Sequence, residues 1–142
     1  MKKTLPFLFA LSKTNTILAR RLSVHGLDFS DFMILFYLNE AAEKKLRRVD
    51  LAEKLGLTAS GITRMLLPLE KLGIIKRDLD DTDARARFAS LTKAGQNLLQ
   101  DATNSIEMKL EDIIPEHEKT ELEKFTALLK LINSWIDKYR FS

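Results

Sequence analysis

The stretch from Asp50 to Gly95 constrains the fold most, because Gly56 and Gly73 cut its apolar pattern into two pieces only a few helical turns long. Asp50 and Glu53 stand in the acid-x-x-Glu spacing that marks a helix start. Leu51, Ala52 and Leu55 then form a short stripe that stops at Gly56, the residue that most readily takes the left-handed conformation past a helix end. Thr58 can accept from the free amides of a second helix. Ile62, Met65, Leu66, Leu69 and Leu72 recur along it at helical spacing until Gly73. Two short helices joined by a glycine-containing turn make a helix-turn-helix.

The second helix carries Ser60, Gly61, Thr63 and Arg64 in its first two turns, and no long acidic side chain stands among them. Ser and Thr bond base edges or phosphates, Arg bonds guanine O6 and N7 with two parallel hydrogen bonds, and Gly permits close approach to a DNA groove. Taken alone, these residues also describe a solvated helix face. The sequence that follows favours DNA. Ile74–Leu79 reads as a strand, 80–86 as a polar turn and Arg87–Leu91 as an alternating return strand, after which Thr92 caps another helix. A helix-turn-helix followed by a basic hairpin is a winged helix, whose wing can lay Arg85 and Arg87 against a minor groove and its phosphates.

The run LAEKLGLTASGITRMLLPLEKLGIIKRDLDDTDARARFASLTKAG resembles the core of the MarR family of transcription regulators. The likeness extends to the Asp-x-Arg of the wing (Asp83, Arg85) and the Leu-Thr-x-x-Gly after it (Leu91, Thr92, Gly95). HGLDFSDFMILFYL, upstream, is similar to the family's stretch before its DNA-binding lobe. The resemblance implies an intertwined homodimer on a palindromic operator, a wing Arg in the minor groove and, often, a small effector in a cleft. Arg85 is then the minor-groove residue, Asp83 its orienting partner, Arg87 a phosphate contact and Thr58 a cap that also meets phosphate. Pro68 departs from the pattern: it removes the hydrogen bond to the Arg64 carbonyl and is expected to kink the helix beyond the base-reading residues.

With 142 residues, 45% hydrophobic and 30% charged, the chain is one domain-sized globular unit. Its net charge is only +3, so any nucleic-acid footprint comes from local placement. Between Ser60 and Gly95 seven basic residues stand against five acidic ones, a local excess of two. The absence of cysteine removes disulfides and thiolate zinc sites. Lys13, Arg20 and Arg21 interrupt the N-terminal apolar run, which excludes a signal peptide and a membrane anchor and fits a cytoplasmic protein.

The fold class expected is therefore mainly α with a small β-hairpin wing, with the winged-helix lobe at 30–95 and helical dimerisation regions at 1–26 and 96–142. A first helix runs from Leu5 to about Leu22, and Ser30 caps a second, nearly all-apolar one. Lys44–Arg48 reads as a basic connection. After Gly95 the pattern is helical to Phe141 with a break near Pro115. In the last helix Leu122, Phe125, Leu129, Ile132, Ile136 and Tyr139 mark the seam of a coiled-coil-like contact, which a symmetric dimer covers.

No nucleophile, acid–base pair or phosphate loop is grouped for catalysis, and the chain is read as a non-enzyme without cofactor. His25 and His117, even with Glu116 and Glu118, make no metal site by spacing. Phe7, Phe9, Phe29, Phe32, Phe36 and Tyr37 can line an effector cleft, though core packing explains them equally well. The function expected is a homodimeric, sequence-specific regulator of double-stranded DNA, a repressor released by a small aromatic or phenolic effector. The rival is a winged-helix protein-interaction module without DNA binding.

Overall fold

The computed structural model describes residues 2–79 and 87–139. In chain order the elements are α1 (Thr4–Arg21), α2 (Phe29–Glu40), β1 (Lys45–Arg47), α3 (Arg48–Leu55), α4 (Ala59–Lys71), β2 (Ile75–Leu79), β3 (Arg87–Leu91), α5 (Lys93–Ile113) and α6 (Lys119–Lys138). This is the mainly α chain with a small sheet that the pattern implies. Two compact units form, Met1–Ile106 and Glu107–Ser142.

The core of the first unit is built around α2, where Ile34, Leu35 and Leu38 are fully buried. Leu51 of α3, Ile62 and Leu66 of α4, and Ala89 of β3 are likewise at 0% exposure, so one apolar cluster joins helix-turn-helix and sheet. The α2 start differs from the sequence expectation. Asp28, not Ser30, is the cap: its side chain accepts from the Asp31 amide at 2.8 Å, while the Asp31 carboxylate accepts from the Asp28 amide at 3.3 Å. That reciprocal box satisfies two orphan amides at once and draws Ser30 into the helix. Partial burial, and then the neighbouring Asp28 charge, push the Asp31 carboxyl above its ordinary value. The connection before α2 is a two-residue turn in which His25 and Gly26 both have positive φ, 51° and 77°. Val24 and Leu27 pair across it, and His25 Nε2 lies 2.8 Å from Ser105 Oγ of α5.

Two further boundaries move. The basic run Lys44–Arg48 is not a plain connection, because Lys45–Arg47 pairs with β3 and makes the sheet three-stranded in the order β1-β3-β2. α3 begins at Arg48, which puts Asp50 inside its first turn with the carboxylate paired to Arg47 Nε at 2.9 Å. The expected glycine stop holds, with Gly56 at φ 70°.

In the second unit the chain breaks at Pro115, passes a 3-10 turn at Glu116–Glu118 and enters α6. No side chain of α6 is buried. Leu131 is 52% exposed and Trp135 56%.

Candidate nucleic-acid interface

α4 owes its start to Thr58, whose hydroxyl accepts from the Gly61 amide at 3.1 Å, as the spacing implies. Gly61 has a reason internal to the fold as well, since a Cβ there would stand 3.2 Å from the capping oxygen. Ile62, Leu66 and Leu69 turn into the core, whereas Leu72, expected on the same stripe, is 69% exposed because it lies past the last helical turn as the C-cap.

A second stripe, Thr63–Leu66–Glu70, faces the sheet. Strand alternation and the register Ile75↔Leu91 and Arg77↔Ala89 place Ile75, Arg77, Arg87, Ala89 and Leu91 on one sheet face, which lies against α3 and α4. Where this face leaves the core it turns polar. Arg77 Nε sits 2.5 Å from Glu70 Oε1, and Arg48 Nη1 donates to Thr63 Oγ1 at 2.8 Å. Thr63 in turn donates to the Ala59 carbonyl at 3.0 Å. Thr63 is expected among the groove-facing hydroxyls, and in the structure that hydroxyl both accepts from Arg48 and donates to the Ala59 carbonyl. Desolvation, followed by the Arg87 and Arg77 charges, lowers the pKa of Arg48, so three guanidinium groups share this corner with Glu70. Arg48 escaped the sequence reading because its basic run looked like a solvated connection; only the fold brings it against Thr63.

The third face of α4 points away from the protein. Ser60, Arg64, Leu67 and Lys71 are all exposed and fall within about 60° of arc at 100° per residue. Ser60 Oγ is 3.2 Å from Thr58 Oγ1, and Arg64 makes no ion pair among the described residues. No acid stands on this stripe. Pro68 lies inside α4, which runs on to Lys71. Having no amide hydrogen, it leaves the Arg64 carbonyl without the usual helical donor.

The wing is anchored by the Leu-Thr-x-x-Gly run. Thr92 Oγ1 lies 2.7 Å from the Gly73 carbonyl and 2.9 Å from that of Ile74, sharing its proton between them, and accepts from the Gly95 amide at 3.1 Å. A Cβ on Gly95 would run into the Ile74 carbonyl oxygen and Leu91 Cδ1. Arg87 opens β3; Asp83 and Arg85 lie outside the described residues.

The candidate effector aromatics do not form one cluster. Phe29 stacks on Phe32 with centroids 6.1 Å apart and Phe36 meets Tyr37 edge-on at 5.6 Å. Phe36 opens onto a groove of about 410 Å³ between α2 and α5 whose other walls include Asn39, Gln96, Gln100 and Asn104, while Tyr37 lines a separate one beside Lys54. Among the described residues no three His, Cys, Asp or Glu side chains converge as metal ligands, and no helix is long and apolar enough to cross a membrane.

Comparison with known proteins places this geometry. A model of the MarR family matches residues 25–86. The HTH-type transcriptional regulator PrsX of Escherichia coli is 32% identical over 116 residues, spanning 82% of this chain and 70% of that protein. Among solved structures, a MarR/EmrR family transcriptional regulator from Acinetobacter sp. ADP1 shares the fold with a TM-score of 0.82 at 19% identity, covering 98% of this chain and all of that one. Sco3205, a MarR family transcriptional regulator from Streptomyces coelicolor solved in complex with DNA, gives 0.73 at 20% identity over 92% of this chain and 88% of that one.

Proposed function

The chain belongs to the MarR family of transcription regulators, and from that premise we propose that it works as a homodimeric repressor on a palindromic operator. It is a DNA-binding regulator and not an enzyme. The observation that carries the finer reading is the outward stripe of α4, exposed, free of acids and bearing Arg64 beside Ser60. An N-terminal recognition-helix face of this kind fits the floor of a major groove, with Arg64 on a guanine edge and Ser60 on a base or phosphate. Thr58 and Gly61 set the close approach. Thr63 acts through Arg48 and not on a base. Arg87 neutralises a phosphate, and Arg85, oriented by Asp83, enters the minor groove; these wing roles rest on the motif.

The winged-helix lobe spans 30–95, and 1–26 with 96–142 supply the dimer contact. In support, α1 and α6 contain no buried residue although both carry apolar faces. Two lobes related by a twofold axis would read half-sites about 34–36 Å apart on one side of the duplex. Release by a small aromatic or phenolic effector rests on the groove beside Phe36. The chain would act in the cytoplasm, where its DNA lies.

Fluorescence anisotropy against a duplex recovered by random-sequence selection, and against a scrambled duplex, at about 50 and about 200 mM salt tests the reading. Sequence-selective, salt-dependent binding is expected. Equal weak binding to both duplexes at both salts would move the function to the protein-interaction module.

A further inference from the structure

Leu67 is the one large apolar side chain on the outward stripe of α4, 41% exposed between Arg64 and Lys71. The core does not need it: its neighbours Leu66 and Leu69, at 0% and 2% exposure, already fill the inward face. An exposed leucine flanked by two cations on a recognition helix has one evident complement in a major groove, the thymine C5-methyl group, the only apolar group that a base pair presents there. We propose that Leu67 is a specificity-determining residue that packs on a thymine methyl, next to the base read by Arg64. The inference rests on the DNA-binding reading above. It deepens that reading by naming a base the protein selects and the group it selects it by.

The spacing supports the placement. Arg64 and Leu67 are three residues apart, or about 4.5 Å along the helix axis, against a rise of about 3.4 Å per base pair, so the two contacts fall on neighbouring base pairs. Lys71, one turn further, keeps the stripe cationic where it leaves the bases. An interaction with another protein would bury Leu67 equally well, but that occupant would also have to bury Lys71, and interface cores are depleted in lysine.

The test uses the full chain and the operator recovered by selection. Each thymine is replaced in turn by deoxyuridine, which removes the methyl group and leaves every hydrogen-bonding atom in place. At one thymine per half-site, beside the guanine that Arg64→Ala ceases to distinguish, wild-type affinity is expected to fall about fourfold, the factor equivalent to ~0.8 kcal/mol for one buried carbon. Leu67→Ala should bind the thymine and deoxyuridine duplexes equally at that position, while Leu67→Met restores the discrimination. Because Leu67 is outside the core, Leu67→Ala should melt like the wild type, which keeps misfolding out of the readout. The Leu67 role is overturned if wild type is indifferent to every deoxyuridine, or if Leu67→Ala shows the same loss at the same thymine. Failure of the wild type to bind any duplex would overturn the DNA-binding reading itself, a different result from selective binding without a methyl effect.

Discussion

α2 and α6 are both rich in apolar residues, yet they end in opposite states. The 12 residues of α2 bury Ile34, Leu35 and Leu38 completely, while the 20 residues of α6 bury none and leave Leu131, Trp135 and Ile136 more than half exposed. The helix-turn-helix and sheet complete their packing around α2 within one chain; α6 does not. Open apolar area of this extent marks an association surface, whereas a finished core marks an element meant to be rigid. The lobe fixes where α4 points, and α6 offers the open face on which the proposed dimer would form.

Overfilling the finished core should have the largest effect. Gly95→Ala would press its methyl group into the Ile74 carbonyl and Leu91 and should cost about 3 kcal/mol or more, read as a large drop in urea midpoint. A wild-type midpoint would mean that the lobe is not the tightly determined region. Next in size, Leu131→Asp puts a carboxylate on the open face and should forfeit about 2 kcal/mol of apolar burial per protomer in the dimer. The lobe should still unfold cooperatively while the sedimentation coefficient falls to that of one chain. An unchanged coefficient would break the contrast from the other side.

Within α4, Arg64→Ala should cost about 1–3 kcal/mol at a single base pair, whereas Thr63→Val should leave base preference unchanged and cost about 1 kcal/mol of stability. The Thr63 hydroxyl is already engaged by Ala59 and Arg48. Altered base preference in Thr63→Val would return that residue to the reading face.

The smallest effect concerns Asp31. Its folded-state carboxyl binds a proton more readily than an ordinary one of 3.8, so the charged form costs stability above that range and the cost fades as pH falls through it. Asp31→Asn, which keeps an acceptor for the Asp28 amide, should therefore raise the melting temperature slightly at about pH 7 and not at about pH 3. A gain of equal size at both would assign the effect to something other than charge.

Much of the lobe was legible because its punctuation is local. Gly56, Thr58 and Gly73 each act on residues within one turn, as does the cap that Thr92 gives Gly95, and the return strand Arg87–Leu91 falls where its alternation placed it. What escaped depends on partners distant in sequence. β1 exists because Lys45–Arg47 meets Arg47↔Phe88 and its neighbouring pairs more than 40 residues away, which no window over a basic run can reveal. Thr63 meets Arg48, fifteen residues upstream, a partner that no local pattern reveals. Ser30 lost its cap because two aspartates, three residues apart, serve each other better.

The most direct measurement is light scattering coupled to size exclusion, on the protein alone and on its complex with the selected duplex. A mass of twice 16.3 kDa in free solution, and the same two chains per duplex in the complex, is the expected result. A stable 16.3 kDa species that binds the full operator one chain at a time would contradict it, because α6 would then need no second copy.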